Sequence, residues 1–134
     1  KINPGTYINY ESGIKLCDKN KVIFKIDELL SKYSIITNSF IRETLNDEFD
    51  YNHSIFYYNT LIKIFSSEKN WFHKERYLSK EKFNPQEWDE KIKNLYDMNL
   101  NINENYNKIC NNIGISMLEI MNLRRELSEN YKIN

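Results

Sequence analysis

The sequence of 134 residues contains no alanine, one valine, two prolines, three glycines, two cysteines and two histidines. The glycines, Gly5, Gly13 and Gly114, lie far apart, whereas phosphate-binding and dinucleotide-binding loops need clustered glycines. A zinc knuckle is excluded in the same way, because the cysteines are 93 positions apart and neither histidine has a partner at ligand spacing. We therefore expect no cofactor and no metal.

An excess of charge of one sign is also missing, since 19 lysines and arginines balance 19 aspartates and glutamates. The bulk charge therefore points neither to nucleic acid nor to an anionic membrane surface. Apolar runs reach only four residues, far short of the roughly 20 that cross a bilayer. The length suits one domain with a core of its own.

The abundant residues are those with AT-rich codons: 20 asparagines, 18 isoleucines, 15 lysines and 10 tyrosines. Alanine is the best helix former, so its absence is not a folding choice. A strongly AT-biased genome accounts for both observations, and a malaria-type parasite or an AT-rich poxvirus fits this bias. The bias describes the source of the sequence and not its function.

From Asp18 onward the apolar residues recur at helical spacing. Asp18 is a candidate N-cap, and the β-branched run 34–37 is placed to bend or interrupt the first helical segment. A second helix is predicted over about 52–65, with Asp50 or Asn52 as its cap. The first stripe comprises Val22, Ile26, Leu29, Leu30, Tyr33, Ile36, Phe40 and Leu45, and the second comprises Ile55, Tyr58, Ile62 and Phe65.

Farther along, residues 66–70 are predicted to form a loop, and residues 71–83 a short helix or an ordered loop. The clearest start signal is Asn84-Pro85-Gln86-Glu87, which combines a cap, a fixed φ at the first helical position and a carboxylate that bonds back to the cap. The last helix is predicted to be the longest, over 104–130, with Gly114 inside it.

These segments predict an all-α fold. We expect a single domain over 1–134, in which an irregular, extended arm (1–17) precedes a bundle of four or five helices (18–134).

The sequence contains cysteine, histidine and carboxylate side chains, but not at the spacing of a known catalytic or metal-binding motif. Cys17 and Cys110 are interpreted as free thiols, because Cys110 lies on an apolar stripe; a bond between them is the alternative in an oxidising compartment. A composite site of His73 with Glu75 and Cys110 stays open. The acidic cluster at the end of the first long helix is typical of a solvated surface, so no enzyme is expected; it comprises Glu43, Asp47, Glu48 and Asp50.

Residues 69–82 interleave basic and aromatic side chains, a mixture that suits phosphate contact and base stacking. Glutamates dilute the basic character, so we expect the aromatic groups to pack inward; binding of a protein or of nucleic acid is the alternative, with nucleic acid the less favoured partner. The residues assigned to partner binding are Trp71, Phe72, Lys74, Arg76 and Tyr77. Trp71 is predicted to be partly exposed, whereas Trp88 is predicted to anchor the core.

One stretch, Glu87-Trp88-Asp89-Glu90-Lys91-Ile92-Lys93-Asn94-Leu95, resembles the opening helix of the PHIST (RESA-type) domain of exported malaria-parasite proteins, which reads acidic-x-x-acidic-Lys-Ile-x-x-Leu. The later segment Leu123-Arg124-Arg125-Glu126-Leu127-Ser128-Glu129-Asn130-Tyr131-Lys132-Ile133 is similar to the family's Tyr-Lys-Ile-like ending. The resemblance implies a helical, non-enzymatic domain that is exported into the host red cell and binds cytoskeletal or adhesion-receptor tails.

The function that the sequence favours is therefore a non-enzymatic helical module for protein–protein interaction, with a host or parasite protein as its partner. Its 2 tryptophans and 10 tyrosines are residue types enriched at interfaces. Two alternatives remain: a self-assembling structural protein that dimerises as a coiled coil through the last helix, and a viral helical-bundle regulator that binds a host helix.

Overall fold

Helices make up most of the described chain, as the sequence predicts, but a small sheet stands among them. The computed structural model describes residues 18–133, with side chains up to residue 129, so the predicted arm over 1–17 lies outside the described residues. The helices are α1 (Lys19–Lys32), α2 (Asn38–Phe49), α3 (Ile55–Lys69), α4 (Pro85–Leu95), α5 (Ile102–Ile109) and α6 (Met117–Ile133); the strands are β1 (Ile35–Thr37), β2 (Phe72–Lys74), β3 (Tyr77–Ser79) and β4 (Ile113–Gly114). The purely all-α bundle is therefore wrong: in the described part, six helices surround four strands. Over residues 18–133, no helix combines the length and the apolar character that a membrane crossing requires.

The first helix begins where the sequence predicts. The Asp18 carboxylate accepts a hydrogen bond from the Lys21 backbone N–H at 3.2 Å, which satisfies an unpaired donor of the first turn. The run 34–37 interrupts the helical pattern completely, because its three β-branched residues, 35–37, form β1. Thr37 then caps α2 by accepting from the Phe40 N–H at 3.1 Å.

The ends of α2 and α3 differ from the prediction. Ser54, rather than Asp50 or Asn52, caps α3 by accepting a bond from the N–H three residues on, at 3.2 Å. Asp50 instead ends α2 in the left-handed conformation (φ 55°), which Asp and Asn adopt more readily than other non-glycine residues. Asn70 ends α3 in the same way (φ 59°), so the predicted loop over 66–70 is mostly helical.

Residues 71–83 contain a β-hairpin in place of the predicted short helix or loop. The strands β2 and β3 pair antiparallel, with Lys74 opposite Tyr77, and Glu75 in the turn has φ 54°. Alternation of aromatic and charged residues is the period-two pattern of a strand. Each strand is only three residues long, which is too short for this alternation to distinguish a strand from a loop or a short helix.

The four strands lie in the order β2–β3–β1–β4 and separate two apolar cores. The strand β1 is antiparallel to β3 and parallel to β4. Successive side chains of a strand point to opposite faces. Accordingly, Ile36 and Leu78 belong to the first core, built with α1–α3, whereas Ile35 and Tyr77 belong to the second core, built with α4–α6.

The second helical layer begins as predicted and then departs from the prediction. Pro85 is the first residue of α4, and Asn84 Oδ1 accepts from the Gln86 N–H at 3.0 Å. Residues 104–130 are mostly helical, as predicted, but a single uninterrupted helix is wrong, because α5 ends at Ile109 and a short strand separates it from α6.

Gly114 lies in β4 and not inside a helix, where it allows this strand to approach its neighbours closely. An added Cβ would lie 2.6 Å from Cγ2 of Ile36 and 2.8 Å from the Phe40 ring. We expect Gly114→Ala to lower the free energy of unfolding by about 1–3 kcal/mol through overpacking. Urea unfolding measures this, with exposed Asn111→Ala in the preceding turn as a control that changes stability by less than about 0.5 kcal/mol. An alanine at 114 that costs no more than the control contradicts the close packing.

Candidate interaction surface

The structure separates the five residues assigned to partner binding. Trp71 is only 8% exposed and belongs to the first core, while Tyr77 is completely buried in the second core. Phe72 is half-buried against the ring of a second phenylalanine, with the centroids 4.8 Å apart. Lys74 and Arg76 alone within this set are exposed. The hairpin therefore packs largely inward and does not present one continuous contact surface.

The predicted roles of the two tryptophans are reversed. Trp71 follows α3 directly, and its backbone N–H donates to the Ser66 carbonyl at 3.0 Å, which turns the indole into the first core. Trp88 lies at the margin of the second core and is half-buried, with the Lys91 ammonium 4.8 Å from its ring centroid. The prediction that Trp71 is partly exposed is therefore wrong.

Arg76 joins the hairpin to the second helical layer. Its Nη2 lies 3.0 Å from Asp89 Oδ1, and its Nη1 lies 3.2 Å from Glu119 Oε1. Nη2 also donates to the Tyr77 hydroxyl at 2.9 Å, and that hydroxyl donates to Asp89. Burial, together with the bond to Asp89, raises the pKa of Tyr77 and keeps its hydroxyl protonated. Arg76 is thus committed to the fold and is not a free cation.

A groove of about 510 Å³ opens between α3, the hairpin and the start of α2. We call it the α3–hairpin groove. Within α3, Asn59 and Lys63 are four residues apart and so lie one helical turn from each other; both fall outside the buried stripe of this helix. The groove is lined by Asn38, Asn59, Thr60, Lys63, Ile64, His73 and Glu75.

The groove carries one exposed lysine and one exposed carboxylate. Lys63 on α3 lines it together with Glu75, which accepts a bond from a glutamine of α4 at 3.3 Å. Lys74 on β2 is also exposed, but it stands opposite Tyr77 and therefore points to the other face of the hairpin from His73, which lines the groove. The charge of the groove is thus as balanced as that of the whole sequence.

A buried amide determines how Asn59 is held. Asn38 is the first residue of α2 and is 6% exposed, and its backbone N–H donates to the Arg76 carbonyl at 2.9 Å. Its Nδ2 donates to Asn59 Oδ1 at 2.8 Å. The Asn59 side chain is therefore tied to α2 through its oxygen, while Oδ1 of Asn38 has no hydrogen-bond partner in the described part of the chain.

Burial holds both histidines neutral near pH 7. His53 is packed among three tyrosines, with its ring stacked on Tyr57 at 4.1 Å, and neither of its ring nitrogens has a hydrogen-bond partner in the described part of the chain. This burial lowers the pKa of His53. The pKa of His73 is lowered by burial and by the charge of Lys63.

We expect the protein to lose stability as the pH falls below about 6.5, the ordinary pKa of histidine. The unfolded chain binds protons on its histidines in that range, whereas the folded chain, with lowered pKa values, does not, so acid favours unfolding. His53 should dominate because it is almost completely buried. Melting temperatures between pH 7.5 and 5.5 test this: His53→Phe should flatten the dependence more than His73→Gln does. Full acid sensitivity in His53→Phe contradicts the assignment.

The remaining candidates for chemistry lie apart from one another. Cys110 carries a free thiol, as interpreted, beside Tyr33 and Tyr106, whereas Cys17 lies outside the described residues. Within residues 18–129, no group of three or more His, Cys, Asp or Glu side chains is placed to hold a metal ion, so His73, Glu75 and Cys110 do not form such a group. The acidic cluster of α2 is exposed throughout, as expected of a solvated surface.

Large apolar side chains are exposed on three helices. On α3, Phe56 is 77% exposed at the first turn and Ile64 lines the groove. Phe24 on α1 is 71% exposed, and Leu118 and Met121 are exposed on α6. Scattered exposed apolar residues are ordinary on protein surfaces, but Ile64 lines a polar groove.

Comparison of the chain with known protein families, with curated proteins and with solved structures yields no match. The site is therefore defined by its own side chains. Sequence reasoning missed Asn59, Thr60 and Lys63 because it followed the apolar stripe of α3. The sequence does indicate this surface. The three residues are polar positions outside the apolar stripe of α3, and the helix is followed by a segment in which aromatic and charged residues alternate, as in a strand.

Proposed function

We propose that the protein is a non-enzymatic module that binds double-stranded DNA through α3 and the β2–β3 hairpin. The helices α2 and α3 are consecutive in the chain and are joined by the short segment 50–54, as in a helix-turn-helix. The β2–β3 hairpin follows α3. A helix-turn-helix places its second helix in the major groove of DNA. The hairpin adjoins α3 and is positioned to meet the neighbouring backbone.

The polar face of α3 is the observation that carries this proposal, because an order of elements alone does not determine function. Asn59, Thr60 and Lys63 are of the residue types that hydrogen-bond to base edges and phosphates. They project from a helix whose other side is fixed in the first core. Such a rigid helix presents its side chains in one register.

Duplex DNA fits this helix better than duplex RNA does. The major groove of B-form DNA is about 12 Å wide and admits an α-helix, whereas the major groove of A-form RNA is too narrow for side chains to reach the bases. Duplex DNA, and not duplex RNA, is therefore the expected partner of α3.

The balanced bulk charge argues against tight binding of nucleic acid and limits the expected affinity. Lys63 is the exposed lysine that lines the groove. Each phosphate that a lysine neutralises contributes about −0.9 to the slope of log K against log salt. We therefore expect weak binding with a shallow slope of about −1.

Fluorescence anisotropy with a labelled, random-sequence duplex tests this function at 20–200 mM salt. Lys63→Ala should weaken binding for all sequences and reduce the salt slope by about 1. The matched control is Lys108→Ala, since Lys108 is exposed on α5, in the helical layer on the other side of the sheet. Absence of binding at 20 mM salt, or an equal loss in Lys108→Ala, refutes DNA binding at this surface.

A second candidate is the protein–protein interaction that the sequence favours, with a host or parasite protein as partner. The observation in its favour is Phe56, which is 77% exposed on α3, the helix that also exposes Ile64 about two turns later. Aromatic side chains are enriched among the residues that dominate binding energy. Sedimentation over a concentration series separates the self-assembly alternative: a dimer that Phe56→Ser dissociates indicates contact through α3, and a dimer that Leu118→Glu dissociates indicates contact through α6.

A further inference from the structure

The strand β2 is an outer strand of the sheet, and the register shows which backbone groups face outward. In the antiparallel pairing of β1 with β3, Ile36 lies opposite Leu78. Two residues farther along the same ladder, the Asn38 N–H donates to the Arg76 carbonyl at 2.9 Å. Paired residues of an antiparallel ladder alternate between hydrogen-bonded and non-hydrogen-bonded pairs. The backbone groups of Arg76 and Leu78 therefore point to β1, and those of Tyr77 point to β2.

The same alternation leaves the backbone of His73 directed to the free edge of β2. Lys74 lies opposite Tyr77 and His73 lies opposite Leu78. Since Tyr77 points to β2 and Leu78 points to β1, the pair at Lys74 is hydrogen-bonded and the pair at His73 is not. The N–H and C=O of His73 thus point away from the sheet, and neither has a hydrogen-bond partner in the described part of the chain. Such unpaired groups on an outer strand are a template for a further strand.

We propose that β2 binds an extended segment of a partner protein, which adds to the sheet as a further strand and places an acidic side chain beside Lys63. The segment offers one C=O to the His73 N–H and one N–H to the His73 C=O, as peptides do when they extend a sheet. This inference goes beyond the DNA binding proposed above, because it assigns a different class of partner. It names a surface for the protein–protein interaction that the sequence favours.

The acidic side chain follows from the direction of the residue opposite His73. Side chains of directly opposed residues share one face of a sheet, and His73 lines the α3–hairpin groove. Lys63 lines the same groove and is exposed, and the ion pairs of the described residues do not include it. Its charge lowers the pKa of His73, which indicates that the ammonium lies near the imidazole. A carboxylate opposite His73 therefore meets a cation that has no ion-pair partner there.

The groove also has room for this side chain. Its volume of about 510 Å³ falls within the range of about 300–1,000 Å³ that ligand clefts occupy. Phe72 and Lys74 point to the opposite face of β2 and do not fill it. The carboxylate of Glu75 accepts a bond from Gln86 at 3.3 Å, on the α4 side of the hairpin turn. The groove is thus open on the side where the new strand directs its side chain.

Selection of random octapeptides from a displayed library on the whole chain, followed by fluorescence anisotropy with the most enriched peptide, tests the proposal. We expect that peptide to combine β-branched residues, which favour an extended chain, with an acidic residue. Methylation of each peptide amide nitrogen in turn then probes the main chain. Methylation of the residue opposite His73 should weaken binding about tenfold, because it removes a hydrogen bond. Methylation of the two neighbouring amides, which point away from β2, should change the Kd by less than about threefold.

His73→Pro removes the same interaction from the side of the protein. The substitution deletes an N–H that makes no bond within the hairpin, and outer strands tolerate proline at such a position. Binding should weaken about tenfold, whereas His73→Ala, which keeps the N–H, should bind within about threefold of the natural protein. Urea unfolding establishes that both variants fold. If His73→Pro does not, the methylated peptides decide, since they leave the protein unchanged.

Lys63→Met and Lys69→Met form a matched pair for the acidic side chain. Both lysines are exposed on α3, but only Lys63 lines the groove. Lys63→Met should weaken binding of the selected peptide about fivefold, the effect of one exposed ion pair. Lys69→Met should leave the Kd unchanged.

Four outcomes overturn the proposal: no peptide is enriched, methylation at every amide is tolerated, His73→Pro and His73→Ala bind equally, or the two methionine variants lose equal affinity. A dimer of the chain that His73→Pro dissociates also overturns it, because a second copy then occupies the edge of β2. These measurements contain no DNA, so their result does not depend on whether the chain binds a duplex.

Discussion

Replacement of Trp71 by alanine is expected to lower the free energy of unfolding by about 3–5 kcal/mol. The indole is 8% exposed and packs in the first core where α3 meets β2. Small domains have a total stability of only about 5–15 kcal/mol, so the variant should be largely unfolded at 37 °C or melt far below the natural protein. Urea unfolding followed by circular dichroism measures the loss.

Trp88→Ala is the matched control, because it removes the same side chain from a half-buried position at the margin of the second core. We expect a loss well below that of Trp71→Ala, because the ring loses less buried surface and one cation–π contact with Lys91. A larger loss for Trp88 than for Trp71 contradicts the burial seen in the structure and restores the roles that the sequence predicted.

Local sequence signals were sufficient for the helices that have clear caps. Asp18 and the Asn84-Pro85 pair each satisfy or remove an unpaired backbone donor within the first turn, and this chemistry depends on near neighbours only. The apolar stripe of α1 and that of α3 follow the same logic, since helical periodicity reports which face is buried. These elements are confirmed because nothing distant competes with them.

The sheet was not predictable because its stabilisation comes from distant partners. Ile35 in β1 pairs with Ile113 in β4, 78 positions later, and neither strand exceeds three residues. A strand of two or three residues carries too little alternation to be distinguished from a helix turn or a loop. The predicted long last helix failed for the same reason, since a pairing with β1 interrupts it at Gly114.

The candidate surface shows a similar division. The interleaved segment 69–82 was correctly expected to pack its aromatic side chains inward, but the contact residues chosen from it included Trp71 and Tyr77, which the two cores bury. Neighbouring side chains of one strand are both buried only where the sheet has a core on each face. The predicted all-α fold contains no such sheet. The groove depends on Asn38 and Asn59, which only the tertiary fold brings together.

Glu119→Ala is expected to lower the free energy of unfolding by about 3 kcal/mol, because it removes the acceptor at the centre of a polar network between the sheet and α6. The carboxylate is 9% exposed. It accepts from the Thr37 hydroxyl at 2.6 Å and from the backbone N–H and hydroxyl of Ser116 at 2.9 and 3.1 Å. Its other oxygen is ion-paired with Arg76 at 3.2 Å.

Glu126→Ala on the same helix separates this network from a general effect of losing a charge. Glu126 is 53% exposed and makes one ion pair, with Lys93 at 3.4 Å, and such surface pairs contribute about 0–1 kcal/mol. Removal of Glu119 leaves the Thr37 hydroxyl and the Ser116 backbone N–H without the acceptor that they share beneath α6, whereas removal of Glu126 leaves a solvated lysine. The two losses measured by urea unfolding should therefore differ at least threefold. Equal losses of unfolding free energy would mean that α6 is held by its apolar residues alone. The Arg76–Glu119 pair would then contribute no more than a surface ion pair, although the Glu119 side chain is only 9% exposed.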